Sequence, residues 1–326
     1  MPLPRERPMW AMTAYFNPIG YGSRLRNYRR FRRALAVPLI AVELGYHDQF
    51  ELTAADADIL IRVTGTDMLW QKERLLNLAL AHLPPHVDHV AWLDCDVVLE
   101  RPDWPEAAVD LLRRTPLVQL FSELHDLPEH ALPPAAGEPR QVTGHAIAYL
   151  MTSRLNTVAD LDPSVALPRA RQRAWGLAWA ARRELLARHR FYDAMVVGSG
   201  DRVLAYAAYG RADSAVVITK MSPRQSAHYR QWADPFSDAV GGRIGCVDGR
   251  LFHLWHGDFQ HRQYRERHEL FAAYQFDPST DLVMNATGVY EWAPHRRHLA
   301  EFCRAYFASR REDGIDVADA VPSAVV

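Results

Sequence analysis

The sequence predicts an α/β protein whose mostly parallel central sheet is flanked by helices. Strand-like and helix-like segments alternate through its first third. A helix-periodic stretch closed by Pro84-Pro85 feeds directly into the apolar run AWLDCDVVLE, and 48% of the 326 residues are hydrophobic, enough for a substantial core.

The elements follow in order. MWAMTAYFN (9–17) reads as a strand, RLRNYRRFRRALA (24–36) as a helix, and PLIAVELG (38–45) and ADILIRVTG (57–65) as strands. Residues 68–84 place Leu69, Trp70, Leu75, Leu76, Leu78, Leu80 and Leu83 at helical spacing. The strand over 91–100 comes next, then a helix carrying Trp104, Leu111 and Leu112, then the strand LVQLFS (117–122). Between 123 and 174 the pattern weakens into Pro, Ala, Arg and His, as expected of an insertion or lid. Order returns over 175–189 and 191–210, where a short apolar strand is expected to end in Gly198-Ser199-Gly200-Asp201 before another helix. The last residues, 311–326, read as a flexible tail.

A net charge of −1 argues against a nucleic-acid binder with a wholly basic surface. Cys95, Cys246 and Cys303 are odd in number and widely spaced, which suits neither a disulfide framework nor a zinc knuckle and fits a reducing cytoplasm. The N-terminus lacks the apolar core of a signal peptide. No uncharged run is long enough to cross a bilayer, so membrane contact is expected to be peripheral.

Asp94 and Asp96 carry the chemistry. In an extended segment, residues i and i+2 share a face, so both carboxylates are expected to aim at one cation; oxygen ligands suit Mg2+ or Mn2+, ions often shared with substrate phosphates. The plain alternative is an ordinary strand exit. His253 and His256, in HLWHGD, are each possible further ligands, and the pair is compatible with zinc, although no HExxH pattern is present. Asp201, presented by glycines, is a candidate general base or equally a helix N-cap. Arg24, Arg26, Arg29, Arg30, Arg32 and Arg33 form either a solvated helix face or a phosphate-binding one. Trp175, Trp179 and Trp255 are stacking candidates, with core packing as the alternative.

In order and context, these segments resemble nucleotide-sugar glycosyltransferases of the GT-A fold, with a galactosyltransferase-like C-terminal half. The resemblance spans most of 9–292 and rests on WLDCDVVL, WQKERLLN, YDAMVVGSGD and HLWHGDFQHRQY. It implies a single catalytic domain over 1–310: a nucleotide-binding part (9–122), the insertion (123–174), and an acceptor and metal-histidine part (175–292). It implies Asp96 and His256 as metal ligands, with Asp94 on ribose or metal. Lys72 or Arg74 would meet the diphosphate, and Asp201 would serve as base. Asn17 and Glu43 lie at the strand ends where this fold meets base and ribose. The activity implied is transfer of a sugar from a nucleotide-diphosphate sugar to an acceptor hydroxyl, with Mn2+ or Mg2+; Asp201 acting as base gives inversion, and Asp201 only orienting the acceptor leaves retention open. Gly200 directly precedes Asp201 where the family often has a Glu-Asp pair. Two other classes stay open: a nucleic-acid or anionic-lipid binding module using the arginine helix, and a metal-dependent phosphohydrolase.

Overall fold

The computed structural model describes residues 9–165 and 172–314. The expectations for the extreme N-terminus, for 166–171 of the insertion and for 315–326 of the tail fall outside those residues.

The N-terminal part alternates as the sequence predicts: β1 (Trp10–Phe16), α1 (Gly22–Ala34), β2 (Leu39–Tyr46), β3 (Ile59–Gly65), α2 (Lys72–Ala81), β4 (His89–Leu93), β5 (Val97–Leu99), α3 (Trp104–Leu112) and β6 (Leu117–Gln119). The middle adds β7 (Glu123–Asp126), β8 (Gly144–Ala146), α4 (Ile147–Thr152), β9 (Arg173–Ala174), β10 (Ala178–Arg182) and α5 (Arg183–His189). The remainder is α6 (Gly200–Ala208), α7 (Ala212–Ile218), α8 (Pro223–Val240), β11 (Ile244–Cys246), β12 (Arg250–His253), α9 (Glu266–Ala272), α10 (Pro278–Asp281), β13 (Leu282–Met284), β14 (Tyr290–Trp292) and α11 (His298–Ser309).

Seven strands form the central sheet in the order β11-β6-β10-β4-β1-β2-β3. All neighbours run parallel except β10, which is antiparallel to both β4 and β6. Alternation along each strand divides the core. Met12, Ile40, Val42 and Trp92 pack on one face with Leu75, Leu76 and Leu80 of α2, while Ala11, Leu39, Ala41 and Ala91 pack on the other with Tyr28 and Phe31 of α1. The antiparallel register sets Trp179 opposite Trp92, their rings stacked at 6.4 Å.

Three local expectations change. The segment 94–96 is not extended: β4 stops at Leu93, and Asp94, Cys95 and Asp96 lead through a turn into β5. No strand precedes Gly198: residues 191–197 run as loop and turn, and Gly198 and Ser199 then take φ of 89° and 79°, in the left-handed region. Residues 123–174 are not merely a lid, since β7, β8 and β9 join β5 and β12 in a five-stranded second sheet. Their strands, of two to four residues, are too short to show periodicity.

Candidate active site

A cavity of about 330 Å³ opens beyond the carboxyl end of β4. The β4–β5 turn supplies Asp94 and Asp96, the end of β12 and the loop after it supply His253 and His256, and the first turns of α2 and α6 supply Lys72 and Asp201.

Asp96, His253 and His256 offer ligand atoms that all lie within 4.8 Å of one another. Nε2 of His256 is 3.2 Å from Asp96 Oδ2 and 3.1 Å from Nε2 of His253. Among the described residues Asp96 Oδ1 is buried with no hydrogen-bond partner, as suits an oxygen reserved for a cation. His253 Nδ1 donates to Asp126 Oδ1 at 2.8 Å, and Thr143 Oγ1 donates to Asp126 Oδ2 at 2.7 Å. That chain fixes the tautomer of His253 and leaves its Nε2 lone pair facing the cluster. Burial, with Arg262 nearby, pushes His256 down to about 4 against the pull of Asp96, so its ring is the neutral form that ligates. Burial opposes the charge on Asp96, but His256 and His253 in their protonated forms, with Arg262, outweigh it and hold the carboxyl below its ordinary range. These residues fit a single divalent cation.

The structure corrects the paired-carboxylate expectation. Asp94 is not among the clustered ligand atoms; Lys72 Nζ donates to it and, at 2.6 Å, to Asp201 Oδ2. Burial, with Asp201 and Asp96 nearby, raises Asp94 to about 6, partly offset by Lys72. Beneath them Glu73 is buried and pushed up to about 8, chiefly by desolvation, so it carries a proton at neutral pH. Its carboxyl occupies the space a Cβ at Gly200 would need, 2.0 Å from that position. Asp201 Oδ2 stands 2.4 Å from the Cβ position of Gly176. Both glycines are therefore needed for close approach. Asp201 follows the N-cap of α6, which is Ser199, so it is not itself the cap.

Other candidates are dispersed. Arg74 donates to Gly288 O at 2.6 Å, pairs with Asp193 and lies over the Tyr290 ring, pinning the β13–β14 hairpin rather than lining the cavity. Glu43 is buried and accepts from the backbone of Glu51 and Leu52; Asn17 bonds Tyr21 and Glu51. Neither lines the cavity. Trp179 is core, and the Trp255 ring packs by Gly314, whereas Trp175 lines the cavity, stacked on Tyr206 at 4.7 Å. The arginine helix also splits: Arg24 points inward to Glu312 at 2.5 Å, and Arg32 pairs with Asp58.

Glu312 and Asp126 escaped the sequence. Glu312 is 1% exposed between Arg24 and Arg310, which overcome the penalty of burial and hold it well below the usual carboxylate range. Its Oε1 is 3.9 Å from Nδ1 of His256. Asp313 accepts from the backbone N–H of Gly22 and Ser23, opening α1. Residues 311–314 are thus docked at the site and are not part of a frayed tail. The only sequence signal was the acidic pair itself. Among the described residues no helix is long and apolar enough to cross a membrane.

No protein-family model and no curated protein matches this sequence. Solved structures similar in shape include S. aureus TarS in complex with UDP-GlcNAc, at 11% identity over 77% of this chain and 59% of that one, TM-score 0.40. This chain thus spans less than two thirds of that TarS chain. A Pyrobaculum calidifontis mannosyltransferase in complex with GDP-Man and Mn2+ aligns at 15% identity over 99% and 77%, TM-score 0.39. A 4-diphosphocytidyl-2C-methyl-D-erythritol synthase from Anaerococcus prevotii aligns at 11% over 82% and 96%, TM-score 0.36. At this distance none of them assigns this chain a substrate.

Proposed function

We propose that this chain is a metal-dependent glycosyltransferase that moves a sugar from a nucleotide-diphosphate sugar to an acceptor hydroxyl with inversion. The observation that carries it is the meeting, in one cavity, of the Asp96/His253/His256 cluster with the Lys72–Asp94–Asp201 constellation. A cation grip alone would fit many chemistries. A grip beside basic side chains and a separate carboxylate fits a diphosphate leaving group and a hydroxyl nucleophile.

The expected ion changes with the donor set. Two imidazoles and one carboxylate favour Mn2+ over Mg2+, which prefers all-oxygen shells. When bound, the ion supplies Lewis-acid stabilisation of the charge that develops on the departing diphosphate. Lys72 adds a second cation for that charge, and Asp94 accepts from ribose or sugar hydroxyls. Asp201 takes the proton of the acceptor hydroxyl as its oxygen bonds the anomeric carbon; the bond from that carbon to the phosphate oxygen breaks, and the nucleoside diphosphate leaves. Trp175 offers an aromatic face to a sugar ring.

The whole of 9–314 serves as one catalytic unit in this reading, and the free thiols of Cys95, Cys246 and Cys303 accord with a reducing cytoplasm. A two-metal phosphohydrolase fits less well, because among the described residues only one cluster of metal-binding type is present. The arginine-helix binding module loses Arg24 to Glu312 and Arg32 to Asp58.

Thermal denaturation with UDP-, GDP-, TDP- and CDP-sugars, each with Mn2+ and with EDTA, tests the proposal. One nucleotide class should raise the melting temperature only with Mn2+, and Asp96→Ala should abolish the rise. Stabilisation by no donor, together with salt-sensitive binding of nucleic acid or anionic vesicles, would sink it.

A further inference from the structure

The cations of the cavity are not all neutralised. Lys72 is shared by Asp94 and Asp201, and Arg24 and Arg310 grip Glu312. Among the described residues Arg202, Arg262 and Arg267 have no carboxylate partner, and of these Arg262 acts on Asp96 at the metal cluster. Arg267 is 4% exposed; among the described residues its guanidinium donates to the hydroxyls of Tyr306 at 2.5 Å and Ser199 at 3.0 Å, and its Nε is buried without a partner. Arg202 lines the cavity with its guanidinium 5.8 Å from the Trp175 ring. Burial, with Arg267 close by, works against its charge. Two such cations without a counter-ion are costly in a fold unless an anion comes to them.

Their position says which anion. Arg202 directly follows Asp201, and the Arg267 guanidinium bonds Ser199 and lies 3.3 Å from the Cβ position of Gly198. Both therefore border the turn that presents Asp201. The cations acting on Asp96, at the metal cluster, are instead Arg262 and Arg24. The basic residues thus divide between a metal side and an Asp201 side. We propose that Arg202 and Arg267 form an anion subsite beside Asp201, so that the acceptor carries a carboxylate, sulfate or phosphate near its reacting hydroxyl. A guanidinium fork suits such a group, and Trp175 can support the sugar ring that bears it. The assignment of the anion to the acceptor rests on the glycosyltransferase reading; the subsite itself does not.

Inorganic phosphate is the probe. The full chain in EDTA is titrated at fixed ionic strength, wild type against Arg202→Gln and Arg202→Lys, with circular dichroism confirming that each is folded. The titration is then repeated with Mn2+ and a saturating nucleoside diphosphate. Phosphate should bind wild type without metal and lose about tenfold or more in affinity in Arg202→Gln, with Arg202→Lys retaining part of it. It should still bind when the nucleoside diphosphate is in place. Equal phosphate affinity in wild type and Arg202→Gln would overturn the subsite. Competition between phosphate and the nucleoside diphosphate would overturn its assignment to the acceptor and give it to the donor. If wild type binds no nucleoside diphosphate with Mn2+, that assignment falls together with the transferase reading, while the loss in EDTA still decides the subsite.

Discussion

Asp126 accepts a 2.8 Å hydrogen bond from Nδ1 of His253 across 127 residues of chain. The bond sets which imidazole nitrogen is free to face Asp96. Asp126→Asn should therefore weaken Mn2+ binding about 10- to 100-fold while leaving the fold intact. Mn2+ titration by calorimetry measures this, and unchanged affinity would show that His253 needs no orienting partner.

Glu73 makes stability depend on pH. Its carboxyl is raised to about 8 in the fold, chiefly by burial, against an ordinary value of 4.5. The folded chain keeps a proton that the unfolded chain releases, so this contribution is whole below about 4.5 and is lost as pH rises through about 8. Glu73→Gln should flatten the fall in melting temperature between pH 5 and 8.5 and melt higher than wild type at the alkaline end. Parallel curves for the two proteins would refute this.

Glu312 neutralises two buried arginines, Arg24 and Arg310. Glu312→Gln leaves both without a counter-charge and should cost roughly 3–5 kcal/mol in urea denaturation. Because its folded carboxyl is held well below the ordinary 4.5, the stability it gives is present above that value and fades as pH falls further. A cost of under about 1 kcal/mol would mean that 311–314 merely rests on the surface.

Gly257 holds the turn between His256 and the C-terminal segment. It has φ of 88°, and a Cβ there would stand 2.7 Å from the carbonyl oxygen of Arg310. Gly257→Ala should cost about 2–3 kcal/mol and expose 310–314 to limited proteolysis. Gly20→Ala is the control: φ is 81° but no atom lies within 4 Å of the new Cβ, so it should cost only about 1 kcal/mol. Equal losses would show that backbone strain alone is responsible.

The frame was legible because its signals are local. The alternation of 9–65, the Leu75/Leu76/Leu80 face of α2 and the fully apolar entry to Asp94 each lie within one element, and the structure has them there. The expected shared grip of Asp94 and Asp96 rested on an extended segment, but a turn begins at Cys95, and Asp94 pairs with Lys72 while Asp96 joins the histidines. Glu43 and Asn17 sit near the expected strand ends, but their side chains are taken up by the loop around Glu51.

By itself the sequence determined the α/β frame and a nearly balanced charge, and it singled out Asp96, His256, Lys72 and Asp201, which the fold brings to one cavity. Tertiary structure alone decided that His253 joins the cluster, that Asp126 orients it, that Glu312 returns from the far end to clasp Arg24, and that Arg202 and Arg267 meet no carboxylate among the described residues. The reason is range. Periodicity and turn chemistry act within a few residues, whereas a carboxylate's partner is settled by which distant element the folded core brings within about 4 Å of it.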